Sequence, residues 1–378
     1  MDTAEGNPLG RVTLFFVEDS LYCKQARASL FDLGLPVQEV DLKQYSKLRC
    51  QLKELTGSHT VPQIFFNKVH VGGKDDLDKL SPNELEHLMR LVWEEPLSLD
   101  GPQLLGDCLN KEPKAHGEAN QLSMMLQNVI LRLYSDHLSA DGKQVDYKAI
   151  SRSAAFESYC ELTVQLQHIQ LQQLNHEEKL AFFINIYNAL VIHGNLHLGS
   201  PKNIWQRYRF FNYVSYVIGG ELFTLQDIEN GVLRGNRRGI AQLWKPFSES
   251  DPRLQVTCVA LPHPEPLVHF ALNYGAKGCP PIKTYIAKDI KSQLHASAEA
   301  FLENDNSCMV DATKGEVKLS QIFKWYKMDF GDTDEELLNW ILNHMRESPK
   351  KSSLQTVLAA TKYKVSYMPY DWSTNSID

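Results

Sequence analysis

Residues 11–34 read RVTLFFVEDSLYCKQARASLFDLG. Arg11–Val17 is dense in β-branched and aromatic residues and predicts a strand. A helix follows from about Leu21 to Leu33 and is stopped by Gly34. Further along, Val37–Val40 predicts a short strand and Ser46–Leu55 a helix ended by Gly57. Gln63–Phe66 and Val69–Val71 predict two strands around a turn at Asn67-Lys68. A last helix covers Pro82–Val92, with Ser81 as its N-cap. Strand, helix, strand, helix, hairpin and helix make a layered α/β unit over residues 11–93.

Outward from that unit, residues 94–120 contain EEPLSLDGP and NKEPKAHGEANQ. Proline, glycine and charge are dense there and periodicity is poor, which predicts a linker. Residues 121–378 read as one larger, mainly helical α+β domain. Helical periodicity is plain at Leu122–Leu138, Tyr147–Leu171 and His176–Leu196. Tyr216–Ile218 and Glu221–Thr224 flank Gly219-Gly220 as a tight hairpin. Val268–Asn273 predicts a strand, Asp289–Glu303 a helix, and the final KVSYMPYD a strand returning to the core. The expected domains are therefore 1–93 and 121–378.

The 378 residues suffice for two or three domains with real cores. A 43% hydrophobic content excludes a mostly disordered chain. The net charge of −7 argues against nucleic-acid binding as the main task. Seven widely spaced cysteines form no CxxC or CxxH, so neither a disulfide framework nor a structural zinc site is expected. A reducing, cytoplasmic location fits, and MDTAEGNPLG carries no secretory signature. The longest uncharged stretch, Leu180–Pro201, is interrupted by Asn185, Asn188, His193, Asn195 and His197. These groups would be expensive in lipid, so it reads as core rather than membrane insertion.

Three pieces of the N-terminal unit, VEDSLYCKQARASLFDLG, TGSHTVPQIFF and VGGKDDLDKL, occur in one order. Together they resemble the glutaredoxin family, with its CPYC-type helix start, TVP segment with a cis-proline, and GG-x-DD segment. The resemblance implies a thioredoxin-like fold. It also implies a glutathione-holding outline at Thr60, Val61, Pro62, Gly73, Asp75 and Asp76, with no required cofactor. In the family, the TVP backbone pairs with glutathione and the later segment receives its carboxylate. The family's nucleophilic first cysteine falls on Ser20, and only the second survives, as Cys23. A serine hydroxyl does not exchange with disulfides, so both dithiol and monothiol mechanisms are expected to be missing.

The C-terminal part resembles the family called domain of unknown function 547. The resemblance rests on EEKLAFFINIYNALVIHG, YVIGGELFTLQDIENGVLRGN, VHFALNYGAKGCPPI, LSQIFKWYKMDFG and VSYMPYDWS. The family pattern CGA-x-SCPP reads YGAKGCPP here, so Tyr274 and Gly278 replace its cysteine and serine. On the helix around 177–196, Glu178 and Asn185 differ by about 20° and Asn188 lies about 60° to one side of Asn185. A polar stripe on a buried helix must be hydrogen-bonded. It either ties down loops or lines an active-site floor, with His193 to the other side.

His269 and Cys279 form the second constellation. A glycine-containing turn at 274–278 would bring Cys279 back toward His269, and imidazole beside thiol is the pair of cysteine acyl-transfer enzymes. The alternative is a small buried hydrophobe and a core histidine. Metal binding by His193, His197, His263, His269 and Cys279 lacks recognised ligand spacing. Arg234, Arg237 and Arg238 read as a solvated turn that would otherwise take an anion. Tyr367, Tyr370 and Trp372 read as aromatic packing.

Three functions follow as expectations. One is a cysteine-dependent acyl-transfer or amide-processing enzyme built on Cys279, His269, His193, Asn185, Asn188 and Glu178. A glutaredoxin-like module would present its thiol-containing or peptide-like substrate. The second is a glutathione-linked thiol-disulfide oxidoreductase, and the third a non-enzymatic adaptor that docks a protein partner.

Overall fold

The structure is a computed structural model describing residues 8–43, 48–104, 119–240, 242–360 and 362–377. By internal packing the chain divides into two compact units. One is Met1–Asp107 with Gly194–Tyr213, the other Cys108–His193 with Val214–Asp378.

The first unit is built on β1 (Val12–Phe16), α1 (Leu21–Phe31), β2 (Val37–Asp41), α2 (Leu48–Thr56), β3 (Gln63–Phe66), β4 (Val69–Gly72), α3 (Lys74–Asp78) and α4 (Pro82–Glu94). Its sheet has the order β2-β1-β3-β4. β1 runs parallel to β2 and antiparallel to β3, and β3 and β4 form the expected hairpin. Successive strand residues face opposite sides. Accordingly Val12, Leu14 and Phe16 pack with Cys23, Leu30, Leu77 and Leu88, whereas Phe15 packs with Val40, Leu42, Leu52 and Phe65. A strand buried on both faces reads as a continuous apolar run, which is why RVTLFFV shows no alternation. Ser20 caps α1 and Ser81 caps α4, where the Glu84 carboxylate returns the bond to the Ser81 N–H.

The expected linker is packed over its first part. Leu99 and Leu104 are buried, and Gln103 Nε2 donates to Ser98 O at 2.7 Å. Residues 105–118 lie outside the described residues. The helix α9 (Ile204–Tyr213) also belongs to this unit. Arg209 Nη1 donates to Leu99 O at 2.8 Å and Gln206 Nε2 to Asp100 Oδ1 at 2.7 Å. Tyr213 and Leu104 complete the cluster around Phe65.

The second unit contains α5 (Ala119–His137), α6 (Tyr147–Ile150), α7 (Ala154–Val164), α8 (His176–Leu198) as far as His193, α10 (Pro252–Gln255), α11 (Ile290–Glu303), α12 (Gln321–Trp325), α13 (Lys327–Phe330), α14 (Asp334–His344) and α15 (Pro349–Ala359). Its hairpin β5 (Ser215–Ile218) to β6 (Glu221–Thr224) turns on Gly219 and Gly220, both at positive φ as a tight two-residue turn requires. β7 (Cys308–Asp311), β8 (Glu316–Leu319) and β9 (Lys364–Tyr367) form a second sheet, in which the returning strand β9 pairs parallel with β8. Residues Asp227–Leu233 form a π-helix. Val268–Asn273 is not a strand: Pro266–Phe270 is a 3-10 helix, begun by a proline that pre-sets its first turn. Among the described residues no helix is long and apolar enough to cross a membrane.

Candidate functional site

The first unit opens a groove of about 430 Å³ lined by Tyr22, Thr60, Val61, Pro62, Gly73, Asp75 and Asp76, and by His70 and Gln63. The Val61–Pro62 peptide is cis. Ser20 holds its Oγ toward Cys23 N at 3.4 Å, so the hydroxyl is occupied in capping α1. Cys23 is only 2% exposed and packs among Val12, Ala26 and Leu30. Asp76 Oδ2 accepts the Gly73 N–H at 2.9 Å, which fixes the turn entering α3. His70 Nε2 lies 2.5 Å from Gln63 Oε1, and burial pushes its imidazole below the ordinary value.

The second unit places the sequence-predicted residues in three separate environments. Asn185 grips the backbone of Tyr285 twice, Nδ2 donating to its carbonyl at 2.8 Å and Oδ1 accepting its N–H at 2.9 Å. Asn188 does the same for the segment before the cysteine, donating to Ala271 O at 2.9 Å and accepting from Asn273 N at 2.8 Å. Glu178 is exposed rather than part of the buried stripe. It sits in the first turn of α8 and closes a capping box with Asn175, accepting its N–H at 2.9 Å. Glu178 and Asn185 do share a cavity of about 470 Å³ with Phe182 and Tyr285.

The cysteine–histidine pair does not form. Cys279 Sγ accepts the Tyr274 N–H at 3.1 Å and lies 3.0 Å from Tyr370 Oη. Burial pushes its thiol up, against the partial opposition of those hydrogen bonds. His269 instead directs Nε2 at Asp329 Oδ2, 2.8 Å away, and stacks on Tyr326. Its Nδ1 is buried without a hydrogen-bond partner among the described residues. His193 contacts Tyr216 Oη at 2.7 Å and faces a different thiol, Cys160 Sγ, at 3.8 Å. Burial raises that thiol to about 11, so at neutral pH it is not a thiolate. Local spacing placed Cys279 and His269 on one segment, but the 3-10 turn at Pro266–Phe270 sends the imidazole toward α13.

Residues 12–71 match the glutaredoxin family model and residues 171–302 the family described as Protein of unknown function, DUF547. Glutaredoxin-1 of Saccharomyces cerevisiae is 38% identical over 79 residues, covering 19% of this chain and 72% of the relative. Glutaredoxin 3 of Escherichia coli K12 is 35% identical over 69 residues, covering 18% and 83%. The chain belongs to the glutaredoxin family. Its glutaredoxin module is N-terminal and is fused to a C-terminal DUF547 domain. Monothiol glutaredoxin-S6 of Oryza sativa is 35% identical over 83 residues, or 21% of this chain and 63% of that one. The solution structure of glutaredoxin from Brucella melitensis is 33% identical and covers 25% of this chain and 98% of its own, with a TM-score of 0.21.

Beyond the glutaredoxin module, the DUF547 domain holds a polar network that sequence reasoning passed over. Glu229, on the π-helix, is buried and accepts from Tyr187 Oη at 3.0 Å, from Tyr274 Oη at 3.3 Å and from Tyr326 Oη. Burial, and then the Glu229 carboxylate, push all three phenols far up, so each stays a donor. Next to it, Arg234 is buried rather than solvated. Its Nε and Nη2 fork onto Asp329 at 2.5 and 2.9 Å. Arg237, more exposed, adds a third bond to Asp329 at 2.9 Å. Burial alone would raise the Asp329 carboxyl, but the bonds from His269 and Arg234 outweigh it and hold it well below the usual range. The segments ENGVLRGN and KWYKMDFG contain both acids but surround them with other polar residues, so nothing in their local pattern marked them as buried. Among the described residues, no group of three His, Cys, Asp or Glu side chains is placed to hold a metal ion.

Proposed function

We propose that the glutaredoxin module binds glutathione, or the glutathionyl part of a mixed disulfide, and holds it without exchanging disulfides itself. The observation that supports this is the gathering of Thr60, Val61, Pro62, Gly73, Asp75 and Asp76 around one groove that Tyr22 of α1 also lines. By the resemblance the attacking position falls on Ser20, whose hydroxyl caps a helix, and the Cys23 thiol is sealed in the core. The ligand is thus a thiol-containing, peptide-like small molecule. A cytoplasmic location suits the five free thiols of the described chain, Cys23, Cys160, Cys258, Cys279 and Cys308.

Calorimetric titration of the full chain with glutathione tests the binding. A Cβ at Gly73 meets only Pro62 O at 3.6 Å and Asp76 at 3.8 Å, and its φ is ordinary. Gly73→Leu therefore fills the groove without backbone strain and is expected to weaken binding about tenfold or more. Ser20→Cys restores a thiol at a helix start, where the unpaired N–H groups favour the thiolate. That variant should gain removal of glutathione from a glutathionylated peptide, the peptide thiol leaving and the glutathionyl sulfur passing to Cys. Absence of saturable binding below about 10 mM glutathione overturns the reading.

A further inference from the structure

The DUF547 domain carries a second pocket, of about 370 Å³, separate from the glutathione groove. Three lysines stand on its rim. Lys143 comes from the loop after α5, and Lys277 and Lys283 flank the Cys279 turn. All three are exposed, and none makes an ion pair among the described residues. On a chain of net charge −7, three unpaired ammonium groups around one pocket concentrate positive potential there. Lys283 Nζ donates to Ser297 Oγ at 3.3 Å, which holds it at the mouth. The acid on the rim, Asp141, is turned into its own loop, where Oδ1 accepts from Ser139 Oγ at 2.6 Å and from Lys143 N at 3.1 Å. Asp141 still acts electrostatically on Lys143, and Asp371 acts on Lys277 from outside the lining.

A second observation points into the same pocket. Ser307 lines it, is 8% exposed, and its hydroxyl has no hydrogen-bond partner among the described residues. The hydroxyl opens onto the pocket, so it is free to bond an oxygen supplied from outside the chain. The rings of Phe270 and Phe301 provide an apolar wall.

We propose that this pocket binds a small phosphate monoester. The phosphoryl oxygens meet the three lysines and the Ser307 hydroxyl, and the organic part lies against Phe301. Lysine ammonium groups are point-charge partners for a dianion with several acceptor oxygens. The volume falls in the range of small-molecule sites.

Calorimetry on the full chain with phenyl phosphate, benzoate and phenol tests this. Phenyl phosphate should bind saturably and more weakly as salt rises. Benzoate should bind more weakly and phenol not at all. Joint Lys277→Gln and Lys283→Gln should weaken phenyl phosphate about tenfold or more. Ala300→Trp, at an exposed position of α11 on the lining, should block the pocket while leaving the core untouched. Lys318→Gln, on β8, and Gly73→Leu, in the other groove, should leave binding unchanged. No saturation below about 10 mM phenyl phosphate, equal binding of phenol, or binding unaffected by the lysine pair and by Ala300→Trp each overturns the proposal.

Discussion

Asn188 holds two backbone groups, Ala271 O and Asn273 N, that lie 83 and 85 residues away in sequence. Replacing it by leucine leaves both unbonded in a buried place. Asn188→Leu should therefore destabilise the domain by about 1–3 kcal/mol, read as a lower urea midpoint with an unchanged slope. An unaltered midpoint would show that water takes over both bonds. At this scale the sequence was informative about Asn185 and Asn188, because an amide on an apolar helix has to be bonded somewhere. It was silent on the bond's other end. Glu178 shared the helical angle but not the depth, since it falls in the first turn of α8 and caps it. Cys279 and His269 show the same limit: ten residues of separation fixed neither the direction of the imidazole nor the long-range arrival of Asp329 and Tyr370.

Among elements, the π-helix Asp227–Leu233 is tightly constrained by a neighbour. A Cβ at Gly231 would stand 2.4 and 2.5 Å from ring carbons of Phe247, a side chain only 1% exposed and flanked by Phe223 and Arg253. The ring has nowhere to go, so Gly231→Ala should cost about 1–3 kcal/mol by overpacking, measurable as a fall in thermal midpoint. A wild-type midpoint would mean the helix can relax to an α-helix at no cost. Most elements were legible because their periodicity or caps were strong, as in Ser81–Glu84 and the Gly219-Gly220 hairpin. Val268–Asn273 was not. A short run of buried apolar residues carries no period, and here Pro266 rather than the apolar residues set the backbone.

For the whole molecule, acid sensitivity follows from histidines whose imidazoles burial pushes down: His70, His197, His269 and His344. Below about pH 6.5 the unfolded chain takes up protons that the folded chain resists. Stability from these groups is therefore complete above that pH and declines as pH falls. Urea midpoints should drop between pH 7 and pH 5, and a flat or rising profile would contradict the burial of these rings. His269 fits the neutral form best, since its Nε2–H serves Asp329 and the unpartnered Nδ1 is then a lone pair rather than a stranded N–H.

The first compact unit draws on two stretches of chain, Met1–Asp107 and Gly194–Tyr213, with Tyr213 closing the cluster around Phe65. During synthesis the ribosome delivers the sheet, which ends at Gly72, about 140 residues before its last covering residue, Tyr213. At typical translation speeds that interval is roughly 7–28 s. Throughout it, the apolar patch formed by Phe15, Val40, Leu52 and Phe65 awaits Tyr213. The nascent chain thus has a built-in window for chaperone capture. For the same reason a recombinant fragment ending near residue 95 would reach the test tube without its own lid.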